Sequence, residues 1–253
     1  MSAFRQWIDG TDRPMLGLWQ ALGCAYTAEM CAGAGFDWLM FDGEHGPNTL
    51  QTLVGQLQAV APYPVHPIAR PPVGDPVHIK QYLDIGFRTL LVPMVDDAAQ
   101  AAAIVAASRF PPRGTRGVAS ATSRASRFGA DDDYLKLAHE TVAIIAQIES
   151  RAALREIAAI AAVDGIDGLF IGPSDLSASL GHLGNPRHPE VQAAIDGAFD
   201  LIRAAGKPAG IFALDAADAR MRAEQGFAFV SIGTDIGLLA GGGRQLLKAC
   251  AGA

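Results

Sequence analysis

The sequence is poor in charge, in cysteine and in long apolar runs. Asp, Glu, Lys and Arg make up 18% of its 253 residues, below the usual quarter. With so many alanines, that shortage implies extensive buried surface, part of it between subunits. Cys24, Cys31 and Cys250 are odd in number and lack metal-ligand spacing, so they read as reduced cytosolic thiols. No apolar stretch reaches the length of a membrane span. The opening MSAFRQWIDGTDRP has no signal-peptide core, and a cytoplasmic protein is expected. There is no long basic run and the formal net charge is −6, which speaks against nucleic acid as a partner. No GxGxxG follows the first apolar run, which weakens a nucleotide-binding reading. No lysine closes an apolar run: Lys80 and Lys136 fall in helical stretches, Lys207 starts a run and Lys248 lies near the C-terminus. Imine chemistry, which needs a lysine in the pocket, is therefore disfavoured.

What the chain does contain is an alternation. Eight short apolar runs occur at 15–20, 36–44, 65–70, 88–94, 142–149, 166–175, 207–213 and 227–235. Alanine-rich or amphipathic segments separate them, several ending in glycine just before the next run, as helices do at an αβ turn. Runs that are apolar throughout indicate strands covered on both faces. Eight of them with intervening helices predict an α/β chain folded as a (β/α)8 barrel. No composition break appears, so residues 1–253 read as one domain. The long Gly/Ser/Arg-rich part of 95–141 reads as a functional or interface loop.

Barrels of this type do their chemistry at the C-terminal strand ends. Polar residues gather there, which core packing does not require, since buried charge is costly without partners. Glu149 closes AIIAQIE and Asp175 closes GLFIGPSD. As hard oxygen donors with no Cys or His pair nearby they suit Mg2+ or Mn2+; alternatively they are solvated loop carboxylates. His45 follows Asp42 by three residues, and Asp84 in KQYLDIG is a second carboxylate within reach; an oriented imidazole serves acid–base work, while a lone loop histidine is also an ordinary surface residue. Arg70 offers planar donors to a carboxylate or enolate oxygen, or else pairs with a strand-end carboxylate. A short helix near Ser174 would present free backbone N–H groups to an anion, although Gly-Pro-Ser also makes ordinary turns.

GAGFDWLMFDGEHGPN, Arg70, TLLVPMV, PPRGTRGV, the QIE at 147–149, VDGIDGLFIGPSDLSASLG and GNPRHPEVQAAI together resemble the HpcH/HpaI aldolase family, across essentially the whole chain. The resemblance implies a (β/α)8 barrel in a homo-oligomer, a hexamer with the last helix, in GGGRQLLKACAGA, swapped between subunits. It implies a divalent-metal-dependent pyruvate aldolase of aromatic compound catabolism, splitting a 4-hydroxy-2-oxo acid to pyruvate and an aldehyde through an enolate held on Mg2+, Mn2+ or Co2+. By position, Glu149 and Asp175 match the metal ligands, and Arg70 the contact to the 2-oxo oxygen. His45 matches the acid–base residue, with Asp42 and Asp84 supporting it. Gln147 matches a polar neighbour of the metal, and the amides of Ser174 and Asp175 the pyruvate carboxylate site. Trp19, Gly172 and Phe212 fall on the substrate side. Phe212 stands where relatives carry a smaller aliphatic residue, which points to an altered aldehyde. Two other readings stay open: a CoA-thioester lyase using Arg109, Arg113, Arg116, Arg124 and Arg127, and a non-catalytic barrel that binds a 2-oxo acid.

Overall fold

The computed structural model describes residues 2–251. Eight strands form where the apolar runs fall: β1 (Met15–Gln20), β2 (Trp38–Asp42), β3 (His66–Arg70), β4 (Thr89–Val92), β5 (Ala143–Ile148), β6 (Ile166–Ile171), β7 (Ala209–Phe212) and β8 (Phe229–Thr234). Each pairs in parallel with the next, and β8 pairs with β1, closing a (β/α)8 barrel. Both strand faces are covered, which is why the runs are apolar without alternation. One cluster fills the layer between strands and helices, with Leu39, Leu90, Ile157 and Val230 among its members. A second fills the lumen with Trp38, Met40, Ile68, Leu91, Ile145, Phe170 and Phe229. Lumen packing is tight enough to require glycine: a Cβ on Gly210 would come within 2.3 Å of the Phe229 ring.

The helices are α1 (Ala3–Asp9), α2 (Ala25–Gly33), α3 (Leu50–Val60), α4 (Pro76–Asp84), α5 (Ala98–Ser108), α6 (Tyr134–Thr141), α7 (Arg151–Ala162), α8 (Pro173–Ser179), α9 (Pro189–Ala204), α10 (Ala216–Gln225) and α11 (Asp235–Ala251). Short polar side chains start many of them. Ser150 accepts from Ala153 N–H at 3.0 Å, Asp97 from Gln100 N–H at 2.7 Å, and Thr49 with Thr52 makes a capping box.

The structure sharpens the sequence expectation at two places and adds an element at a third. The short helix expected near Ser174 is α8, and it takes residues 173–175 out of the preceding strand run, because Pro173 at its first position presets helical φ. The stretch 95–141 holds α5, then the long connection 109–133 with a single 3-10 turn at Arg124–Ser126, and ends in a further helix, α6. The N-terminal segment forms α1, which closes the N-terminal mouth of the barrel. There Phe4 meets Phe229 edge-on at 5.4 Å and Trp7 stacks on His66 at 4.7 Å. Among the described residues no helix is long and apolar enough to cross a membrane.

Candidate active site

Register builds the C-terminal mouth. Asp42 and Arg70 are neighbours on β2 and β3, so the last residues of two strands meet as a buried ion pair. Arg70 Nε and Nη2 donate to Asp42 Oδ1 and Oδ2 at 2.9 and 2.8 Å, and Nη1 lies 2.7 Å from Glu44 Oε2. The guanidinium sits 4.3 Å above the Trp19 ring. Two carboxylates and an aromatic face thus fix a positive charge in one orientation, the bidentate geometry that favours Arg over Lys. Asp42 Oδ1 also accepts the backbone N–H groups of Glu44 and His45, at 3.0 and 3.3 Å.

Across the mouth, the register of β5 and β6 sets Gln147 beside Phe170 and Ile148 beside Ile171, which brings Glu149 up to Gly172. Glu149 is 2% exposed. Its Oε1 accepts from Met94 N–H at 2.8 Å and its Oε2 from Gln147 Nε2 at 2.5 Å. Met94 holds that N–H in place from a left-handed backbone conformation, φ 53°, uncommon for a non-glycine residue. Burial pushes the Glu149 carboxyl up to about 7, and the nearby Asp175 and Glu44 charges push the same way. Gly172 packs directly against it: a Cβ there would lie 2.5 Å from Glu149 Oε2 and 2.9 Å from Gln147 Nε2.

Arg70, Gln147 and Gly172 open on one cavity of about 150 Å³, lined also by Trp19, His45, Ser174, Asp175 and Phe212, together with Phe170 and Pro173; Glu149 and Asp42 are buried behind this lining and do not form part of it. The lining includes no lysine. Trp19 meets Phe212 edge-on at 5.4 Å and Phe170 at 6.2 Å, forming an aromatic wall. Gln147 Oε1 and Trp19 Nε1 are buried without a partner among the described residues, although buried polar atoms are normally satisfied.

A model of the HpcH/HpaI aldolase/citrate lyase family matches residues 15–241. The chain belongs to this family. Membership makes it a carbon–carbon lyase. A 4-hydroxy-2-oxo-heptane-1,7-dioate aldolase of Salmonella typhimurium is 55% identical over 234 residues, 92% of this chain and 89% of that protein. The crystal structure of an HpcH/HpaI aldolase/citrate lyase family protein from Burkholderia cenocepacia is 41% identical, with a TM-score of 0.95 over 99% of this chain and all of that one. An HpcH/HpaI aldolase structure from Desulfitobacterium hafniense is 26% identical, with a TM-score of 0.89 over 99% and 96% of the two chains.

Two supporting positions implied by the family resemblance are placed differently within this chain. Among the described residues the Asp42 carboxylate bonds the Arg70 guanidinium and the backbone N–H groups of Glu44 and His45, with no contact to the His45 ring. Asp84 ends α4, where its Oδ1 accepts from Arg116 Nη2 at 2.6 Å. It borders a separate surface hollow with Arg124 and Phe128, not the cavity of His45. The His45 side chain is 68% exposed, and Glu44, at 3.9 Å, is the carboxylate beside it. The Arg-rich loop is also largely spent on protein partners. Arg109 pairs with Asp164, Arg116 with Asp84 and the Tyr134 hydroxyl, and Arg124 donates to the Ile85 carbonyl. Sequence reasoning missed the Met94 N–H, since a main-chain donor has no residue signature. It could have found Phe170, which lies two residues before Gly172 in an apolar run already placed on a strand.

Proposed function

We propose that the chain is a divalent-metal-dependent (class II) pyruvate aldolase. It would split a 4-hydroxy-2-oxo acid reversibly into pyruvate and an aldehyde, in the cytoplasm, within aromatic compound catabolism. The observation that carries the reading is Glu149. A buried carboxyl raised to about 7 by burial and by two neighbouring carboxylates lacks a counter-charge of its own, and an oxygen-only cluster is the donor set of Mg2+, Mn2+ or Co2+. Glu149 and Asp175 would hold the ion, beside the unpartnered Gln147 oxygen. Bound there, a divalent cation supplies Lewis acidity that offsets the negative charge developing on enolate oxygens.

The chain's own residues do the rest. Arg70, already oriented by Asp42 and Glu44, presents fixed positive charge to the 2-oxo oxygen and needs no reorganisation as charge develops. The amides of Ser174 and Asp175 open α8, where N–H groups lack intrahelical partners and suit the pyruvate carboxylate. His45 at the rim takes the 4-hydroxyl proton in cleavage and returns it to the aldehyde oxygen in condensation. Phe212 and Trp19 narrow the aldehyde side. The exposed Leu238, Leu239, Leu246 and Leu247 of α11, next to an apolar hollow lined by Met30, Phe36 and Leu238, support exchange of α11 between copies in a homo-hexamer.

The test is aldol addition and its reversal over a panel of aldehydes, with pyruvate and with Mg2+, Mn2+ or Co2+. Turnover should need the ion and stop on chelation. Borohydride reduction in the presence of pyruvate should leave no covalent adduct. Full turnover after chelation, or a lysine adduct, would overturn the reading.

A further inference from the structure

Outside the mouth, three metal-ligating side chains converge on the connection between α8 and α9. His182 Nε2 lies 2.8 Å from Glu190 Oε2. The His182 and His188 rings stack with centroids 3.5 Å apart and planes 15° from parallel. One ligand atom from each of His182, His188 and Glu190 lies within 4.8 Å of the others. We infer that these three residues form a second cation site, selective for a transition-metal ion of the zinc class. This inference does not depend on the function proposed above.

The donor set argues for that class of ion. Two imidazoles and one carboxylate suit Zn2+, Ni2+ or Cu2+, whereas Mg2+ prefers an all-oxygen shell and keeps its water. Tetrahedral zinc with bonds of about 2.0–2.1 Å sets its ligands about 3.4 Å apart, so the observed spacing closes with small side-chain rotations. Three protein ligands leave a position for water.

The frame holding the cluster is well bonded. His182 N–H donates to the Ser177 carbonyl of α8 at 2.7 Å, Asn185 N–H to His182 O at 2.9 Å, and His188 N–H to Asn185 O at 3.0 Å. Gln192 Nε2 donates to the Pro186 carbonyl at 2.7 Å, and Arg187 pairs with Asp215 at 2.6 Å. His188 also caps α9, its Nδ1 accepting from Glu190 N–H at 3.3 Å. An ion here would join the end of the segment that carries Asp175 to the first turn of α9. The two sites differ in hardness: oxygen donors at Glu149 and Asp175, imidazoles here.

The experiment is Zn2+ binding to the full chain by calorimetry in excess Mg2+, repeated with Co2+ read by its visible absorption. The Glu149→Gln chain should still bind one Zn2+ per chain. Adding His182→Ala should weaken that binding about tenfold or more. Adding His188→Asn instead should do the same, while keeping a side-chain acceptor for the α9 cap, with circular dichroism reporting the fold. No Zn2+ bound by the Glu149→Gln chain, or affinities within about twofold of it in both histidine variants, would overturn the site.

Discussion

At the N-terminal end of the barrel, His66 and Asp167 are half-buried and satisfied; at the C-terminal end, Glu149, Gln147 and Trp19 are fully buried and in part not. His66 Nε2 lies 2.8 Å from Thr89 Oγ1, its ring sits under Trp7, and burial drops its pKa to about 4, which keeps it neutral. Asp167 accepts from the Ser2 hydroxyl and from Ile144 N–H, at 2.8 and 3.0 Å. The other mouth crowds Glu149 with Asp175 and Glu44 and leaves an amide oxygen and an indole N–H without partners among the described residues. The same eight strands supply both ends. Where the chain alone must close the barrel, it supplies partners for its polar groups. Where it leaves groups short of partners, a ligand and an ion are the natural suppliers.

The contrast breaks first at Glu149. Glu149→Gln should lower metal-dependent turnover about a thousandfold, or about 4 kcal/mol, yet leave the metal-free melting temperature unchanged or higher, since a buried charge has gone. A large loss of stability in calorimetry would make Glu149 part of the framework instead. Phe4→Ala should do the reverse: about 3–5 kcal/mol of stability lost from the plugged end, measured by denaturant unfolding, with kcat in the folded enzyme within about twofold of the parent.

The pH dependence of the metal-free protein sharpens the comparison, because the two ends act with opposite sign. Glu149 has its folded pKa raised from 4.5 to about 7, so its contribution is present at low pH and lost as pH rises through that window. His66 has its folded pKa lowered from 6.5 to about 4, so its contribution is present above 6.5 and lost as pH falls. At about 1.4 kcal/mol per pH unit each, the two slopes nearly cancel between pH 4.5 and 6.5. Glu149→Gln should uncover the His66 slope, a rise of roughly 3 kcal/mol as pH climbs from 4 to 6.5. Unfolding free energies that show the same slope in parent and variant would refute the Glu149 shift.

Phe212→Leu carries the smallest expected effect. Aldehyde selectivity should change by about 1–3 kcal/mol in kcat/KM ratios, the scale of a hydrophobic pocket, while the KM for pyruvate moves by less than about twofold. Unchanged selectivity would remove Phe212 from the aldehyde side.

How far the site was legible follows from how each residue is held. Glu149, Gln147, Arg70 and Asp42 follow apolar runs or close them, and position along a strand is local information. Arg70 carried two readings, substrate contact and ion pair; the buried pair with Asp42 is observed, and the guanidinium still lines the cavity. Within this chain Asp84 is the last residue of α4, and a helix that runs back from the mouth ends on the far side of the barrel, a consequence of chain direction that the family resemblance did not carry. Here the Arg116 guanidinium claims it. The strained Met94 turn and the α1 plug were invisible, since each depends on segments distant in the chain.

By itself, the sequence determined the eight strands, their parallel order and the oxygen-donor residues at their ends, because apolar runs covered on both faces and the helices between them are local patterns. Only the tertiary structure decided which of those end groups become partners. The interstrand register sets Asp42 beside Arg70 and Glu149 beside Gly172. That pairing spends one carboxylate on an arginine and leaves another buried among like charges, and register is a property of closed strands rather than of any one run.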